Sequence, residues 1–394
     1  MLRNIISFVK HKPGIRLGFL LSVASLLLGV FAASLPAIKY RLGFTVWGLG
    51  VSLLCAPVGA LTGVFLSARL FSRIPVGKWL FTGVTLQCLL YIALVTSQHR
   101  IVFWAVLYAT GMIGFFNGVS INAVIDIIEK RYHKRIMSSC HGMYSLGGFV
   151  SAGLAAGFYS IHIAAGWQIV IVAVCIIAVL LLIRDHLFSY TELIHSGSSL
   201  AAPPASILGL AFICFVCFMG EGSIADWSAI YLKESLHSTA AIASLGYAGF
   251  SIMMATGRFN GDALIPKLGA KKMVIGGSLI AATGFILVVF LHYRLAAIAG
   301  FTLAGLGYCC IVPILFSAAA NVPGISPAIG FSSIATGGLI GFLFGPSVIG
   351  MISEKVSISA GLSFILIMNV AASFVATRNK FLATDTNSPF IELT

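Results

Sequence analysis

The sequence predicts an all-α membrane protein, with twelve transmembrane helices arranged as two pseudo-symmetric six-helix bundles. Three observations carry that prediction. Hydrophobic residues make up 59% of the 394-residue chain and charged residues only 9%, against about 25% charged in an ordinary soluble domain. Apolar stretches long enough to cross a bilayer, about 20 residues each, recur twelve times. A sequence repeat relates the two halves of the chain. Mean hydropathy is +1.04, so polar groups are too few to cover the surface and the outside must face lipid. A soluble enzyme, a disordered chain and a nucleic-acid binder are excluded on these grounds, despite a formal net charge of +13.

The spans fall near 15–38, 44–68, 78–98, 101–125, 138–160, 166–183, 205–229, 239–262, 272–292, 295–320, 327–352 and 357–378. Connections are short, as at 98–100 and 292–294, so consecutive spans are antiparallel neighbours. The basic segment before the first span carries no small-residue cleavage site, and no removable signal peptide is expected. The longer central connection, 184–204, is Ser-rich and ends in Pro203 and Pro204. Its composition is that of a linker, which gives an N-terminal bundle at 1–183, a linker at 184–204, and a C-terminal bundle with a short tail at 205–394.

Placing both termini inside sorts the basic residues into 18 inside and 6 outside. By the positive-inside rule the termini are cytoplasmic. In this assignment Arg258 belongs to the inside set and no Lys or Arg lies mid-span, which favours a neutral or zwitterionic solute over an anionic one. The eight cysteines all sit in apolar stretches, with neither zinc-ligand spacing nor a disulfide framework. No metal and no cofactor is expected. No Walker A sequence, HExxH or nucleophile elbow is present, so neither ATP-driven work nor an enzyme is indicated.

The repeat joins residues 63–78 to 257–272 without gaps, at the 194-residue spacing that separates Gly63 from Gly257. Arg73 then matches Lys267 and Lys78 matches Lys272. Two parallel halves with equivalent loops are a transporter signature, because alternating access requires two bundles that rock about a central site. The second copy, with Gly257, Gly261, Asp262, Gly269, Lys271 and Lys272, resembles the signature loop of the major facilitator superfamily. In the first copy Ala68 stands where the second has Asp262, a departure from that family's pattern. The stretches 137–148, 221–231 and 257–272 resemble a bacterial subgroup near the fucose permeases. The resemblance implies the major facilitator fold, gating at the signature loop, and a cavity lined by the first, fourth, seventh and tenth spans. It supplies no substrate.

Polar groups are expensive in lipid, so intramembrane ionisable residues mark functional sites. Of eleven acids, Glu221 and Asp226 fall within the seventh span, whereas Glu234 and Glu354 are assigned to loops. Glu221 lies about 15 residues into its span, roughly 22 Å deep, and is the first candidate for proton coupling. Asp226, beside Trp227, reads better as an interfacial anchor but remains a coupling candidate, as does His141 in the fifth span. Asn117, Asn122, Tyr308 and Tyr144 are the candidate solute contacts, set against ordinary interhelical hydrogen bonding. Small residues four apart (Gly59/Gly63, Gly114/Gly118, Gly153/Gly157, Gly257/Gly261 and Gly341/Gly345) are expected to bring helices into close contact. The expectation is a monomeric secondary transporter in a bacterial inner membrane, moving a small organic solute with protons. Its alternatives are a proton-antiporting exporter and a non-transporting sensor or scaffold.

Overall fold

The computed structural model describes residues 8, 11–132, 136–193 and 203–382. The side chains of Ala68, Ser138, Asp262, Ala263, Pro327 and Ala328 fall outside that description. So do the basic segment before Phe8, Lys134 and Arg135, residues 194–202 of the expected linker, and the C-terminal tail.

All twelve predicted stretches are helical. They are α1 (Lys12–Leu42), α2 (Val46–Leu53 continued as Cys55–Phe71), α3 (Val76–Thr96), α4 (Arg100–Tyr132), α5 (Met137–Ser160) and α6 (Ala165–Phe188). The second set is α7 (Leu208–Ile230), α8 (Ala240–Leu268), α9 (Ala270–Phe290), α10 (Arg294–Tyr308 continued as Ile311–Ala320), α11 (Pro327–Lys355) and α12 (Ile358–Arg378). Eleven are long and apolar enough to cross a membrane by length and hydropathy alone, and α5 is the exception. Its serines, glycines and His141 lower its hydropathy. It tolerates them because it packs along α1 on one side and α8 on the other, with protein replacing lipid. Large apolar side chains such as Leu182, Trp167, Ile367 and Phe374 are exposed on the outside of the bundle, as a lipid-facing surface requires.

With twelve antiparallel crossings, both ends of the described chain and the connection after α6 share one face, called here the termini's face. The opposite one is the far face. Helix boundaries follow local chemistry. Thr45 caps α2 by accepting from the Gly48 N–H, and Thr239 caps α8 by accepting from the Ile242 N–H. Such caps satisfy donors that the first helical turn leaves free. Helix α1 ends at Gly43, whose φ of +63° suits a residue without a Cβ, and its N–H bonds back to Lys39 and Tyr40.

The 194-residue repeat reappears at these helix ends. Arg100 donates from Nε to the Leu42 carbonyl (2.8 Å) and from Nη2 to that of Gly43 (2.5 Å). One repeat later, Arg294 does the same to Leu236 (3.3 Å) and His237 (3.0 Å). His237 has the left-handed φ of +48°, matching Gly43. Each bundle therefore ties its first corner at the far face to the start of its fourth helix through one guanidinium.

Among the small-residue pairs, Gly59 and Gly63 pack on α4, Gly257 and Gly261 on α10, and Gly341 and Gly345 on α7. Gly118, Gly153 and Gly157 do not act as contacts, since nothing lies within 4 Å of where their Cβ would be.

Between the bundles, α5 packs along α8, α1 packs on α7 and α8, and the first segment of α2 packs on α11. The second segment of α2, nearer the termini's face, touches α11 only marginally. The far face is clasped. Lys39 Nζ lies 2.6 Å and 2.8 Å from the two Glu234 oxygens. The Trp47 N–H at the start of α2 donates to Glu354 Oε2 (3.0 Å), and the Ser347 hydroxyl donates to the Gly50 carbonyl (3.4 Å). A Cβ on Gly50 would stand 2.8 Å from the Pro346 oxygen and 3.2 Å from the Gly350 Cα.

Candidate functional site

Glu221 lies in the middle of α7, flanked by Gly220 and Gly222. A Cβ on Gly220 would sit 2.1 Å from the Tyr308 oxygen, so α10 presses directly on the helix beside the carboxylate. Gly222 admits Phe342 of α11 in the same way. The helix is therefore gripped on either side of Glu221 while the acid itself projects between the bundles.

Its partner is Arg258. Nη2 of that residue is 4.0 Å from Glu221 Oε2, with side-chain exposures of 14% and 16%. Nη1 donates to the Ser145 hydroxyl on α5 at 2.9 Å, which carries the guanidinium across to the first bundle. The position of Arg258 follows from its neighbours. Gly257 and Gly261 seat α8 against the interruption of α10 at Cys309 and Cys310, where the Cys310 thiol meets the Gly257 carbonyl at 3.6 Å. On α5, Gly142 receives Phe259, and the Ser25 hydroxyl of α1 bonds to the Tyr144 carbonyl. The three helices are held close enough for one arginine to reach both an acid and a hydroxyl.

Several other polar groups face this pair. His141 and Cys309 lie within electrostatic reach of Arg258. Tyr144, Tyr247, Tyr308, Cys214 and Cys217 lie within reach of Glu221. Asp226, further along α7, is felt by Tyr91 of α3. Among the described residues Asp226 makes no ion pair.

Of the sequence candidates, the structure thus gathers Glu221, Tyr144, His141 and Tyr308 around one centre. Tyr308 is fully buried, and its oxygen accepts from Asn369 Nδ2 at 2.7 Å. Asn117 is turned to α3, donating to Gln87 Oε1 (2.6 Å) and the Gly83 carbonyl (3.1 Å). Asn122 keeps a buried amide oxygen with no partner among the described residues, and no contact joins it to Glu221. In the signature loop, Gly269 has a φ of +83° at the junction of α8 and α9, a backbone state that favours glycine. Lys271 and Lys272 occupy the first turn of α9. Asp262 is in α8, and its side chain lies outside the described residues. None of the eight cysteines is in a disulfide.

Two sequence readings need correction. The eighth span does not end at 262; it runs through Pro266 to Leu268, which leaves Arg258 ten residues, or about 15 Å, from the helix end. Arg258 is therefore an intramembrane cation, and the premise that no basic residue lies mid-span fails. The available signal was the Gly257/Gly261 pair around it, since a close-packing face marks a helix interior. Glu234 and Glu354, set aside as loop acids, are the carboxylates that join the bundles at the far face.

No protein-family profile matches the chain. An uncharacterised MFS-type transporter of Yersinia pestis is 34% identical over 373 residues, covering 93% of this chain and 95% of that protein. Membrane protein MosC of Rhizobium meliloti is 28% identical over 376 residues, 92% of this chain and 90% of that one. Among solved structures, a bacterial homologue of the human lysosomal transporter Spinster, captured inward-facing and occupied, superposes with a TM-score of 0.65 at 15% identity. The match covers 94% of this chain and 97% of the other.

Proposed function

Because this chain belongs to the major facilitator superfamily of membrane transporters, we propose that it is a proton-coupled secondary transporter of a small organic solute, working by alternating access. The coupling acid is Glu221. The observation that carries the reading is the placement of Glu221 and Arg258 where α5, α7 and α8 meet. A titratable acid whose arginine partner is itself bonded across the bundle interface can feel both the solute and the relative position of the bundles. A gradient can then bias the exchange between outward- and inward-open states.

The rocking units are the bundles at 1–183 and 205–394. The 18-to-6 charge bias puts the termini in the cytoplasm of a bacterial inner membrane, and the clasped far face then makes this the state closed to the outside. Kinship with the fucose-permease subgroup rests on the stretches 137–148, 221–231 and 257–272.

The test is transport by purified protein in liposomes, using a solute found through ligand-induced thermal stabilisation; a ligand at a hundredfold its Kd stabilises the fold by about 2.7 kcal/mol. An imposed pH gradient drives accumulation by the wild type. Glu221→Gln exchanges labelled for unlabelled solute but does not concentrate it. Undiminished concentration by that variant removes Glu221 from the coupling step.

A further inference from the structure

The Glu221–Arg258 pair is loosely met for two charges in a membrane interior. Arginine carries five N–H donors in a planar fork suited to a carboxylate. Among the described residues only one hydrogen bond uses them, the bond to Ser145. The 4.0 Å approach to Glu221 lies beyond hydrogen-bonding distance. A buried ion pair offsets its desolvation only with good geometry and satisfied hydrogen bonds, and this one leaves most donors idle.

We infer that the transported solute carries a carboxylate, which binds the Arg258 fork in place of Glu221 while Glu221 takes up a proton. The inference rests on the transport reading above. It adds the solute class and the reason that coupling is obligatory.

The argument is one of charge balance. In the empty site the ionised pair is neutral. With a carboxylate on Arg258 and an ionised Glu221, three charges sum to −1 in a site largely removed from water. Desolvated, uncompensated charge is strongly unfavourable there. A proton delivered from solvent to Glu221 restores neutrality. The bundles can exchange states with the site empty, or with acid and proton both bound, but not with either alone. Tyr144 and Tyr247, in electrostatic reach of Glu221, offer hydroxyls to the rest of the solute. The other titratable groups facing the pair are His141 on α5, Cys214 and Cys217 on α7, and Tyr308 and Cys309 on α10. Asp226 lies five residues further along α7, about 140° around the helix from Glu221.

The experiment follows thermal unfolding of the detergent-purified protein. The probes are short aliphatic, hydroxy, sugar and aromatic monocarboxylates, each beside its primary amide. At least one acid stabilises the wild type and its amide does not. Affinity for that acid rises up to about tenfold for each unit the pH falls, the signature of one linked proton. Glu221→Gln binds it more tightly at neutral pH and without pH dependence. Arg258→Gln loses at least tenfold in affinity. So does the doubly neutral Glu221→Gln/Arg258→Gln protein, which carries no unpaired charge and serves as the control for folding.

The proposal is overturned if no acid stabilises the wild type, if the amide does as well as its acid, if either Arg258 variant keeps its affinity, or if the pH dependence survives in Glu221→Gln. A neutral solute concentrated under a pH gradient would overturn the carboxylate yet leave the transport reading standing. A carboxylate that binds in this way but is never moved would do the reverse.

Discussion

Arg258 stands 4.0 Å from Glu221 and, among the described residues, gives its one hydrogen bond to Ser145 instead. A single guanidinium is thereby divided between an acid on its own bundle and a hydroxyl on the other. When the bundles move apart at that level, the bond to Ser145 breaks and the pair must close or find another partner. The state of Glu221 and the position of the bundles are thus read by the same group.

Removing one member of this pair leaves the other charge buried and alone, a change that costs about 3–5 kcal/mol where it has been measured. Arg258→Gln is expected to lower the unfolding midpoint clearly. Adding Glu221→Gln is expected to recover most of the loss, because two neutral amides need no counter-charge. A double-mutant cycle by thermal unfolding measures the coupling. Additive effects would mean that the two side chains do not interact.

At the far face, Lys39→Gln or Glu234→Gln removes a partly exposed ion pair worth about 1 kcal/mol. That shifts the balance between closed and open far faces by about fivefold. Distances between spin labels on the far-face ends of α1 and α7 are expected to lengthen in either variant. They are expected to return to the wild-type distribution in the charge-swapped Lys39→Glu/Glu234→Lys protein. An unchanged distribution in the single variants would reduce the contact to a surface pair.

Gly50→Leu places a side chain where the Pro346 carbonyl and the Gly350 Cα already stand. The expected outcome is a wedge between α2 and α11. Cysteines introduced deeper in the interface should react faster with a thiol reagent from the far side, while transport slows at least tenfold. Gly50→Ala should show the same change more weakly.

Asn117 is expected to matter for stability and not for solute recognition, given its bonds to Gln87 and Gly83. Asn117→Ala should destabilise by about 0.6–1.7 kcal/mol, the range of interhelical hydrogen bonds in membrane proteins, and leave solute affinity as it was. A loss of affinity without a loss of stability would return Asn117 to the binding site.

A cysteine placed in the 194–202 segment, in a protein lacking its native cysteines, is expected to react with an impermeant reagent only after the cell membrane is opened. Labelling in intact cells would invert the assigned orientation.

The fold was legible in the sequence because lipid imposes a length and a polarity on every crossing. Even α5, which falls short on hydropathy, reads as an apolar stretch at 138–160. The depth of Glu221 within its helix was legible for the same reason, as an acid inside an apolar stretch. Arg258 was not, because its detection depended on a helix boundary, and Asp262 followed by Pro266 suggests an end several residues before the true one at Gly269. Glu234 and Glu354 were hidden differently. Nothing local sets them apart from other loop acids, since their meaning lies in Lys39 and Trp47, far away in sequence and on the other bundle. Asn117 and Tyr144 look alike in sequence as polar residues on apolar helices, and only the rotation of each helix in its bundle separates the bond to Gln87 from the neighbourhood of Glu221.

The paired guanidinium ties of Arg100 and Arg294 have a mechanical consequence. Each makes the far end of its bundle behave as a stiff handle, in which the first corner and the start of the fourth helix turn together. The first segment of α2 belongs to one handle and is also the part that rests on α11. The break after Leu53 places a joint just below that bearing surface. Under the proposed rocking, a torque at the central site would pass through these handles to the far-face seam, with bending expected in the second segment of α2 and in the interrupted α10. The same stiffness, present in duplicate, is what the proposed rocking requires, since each bundle could then turn as one body and keep its own shape.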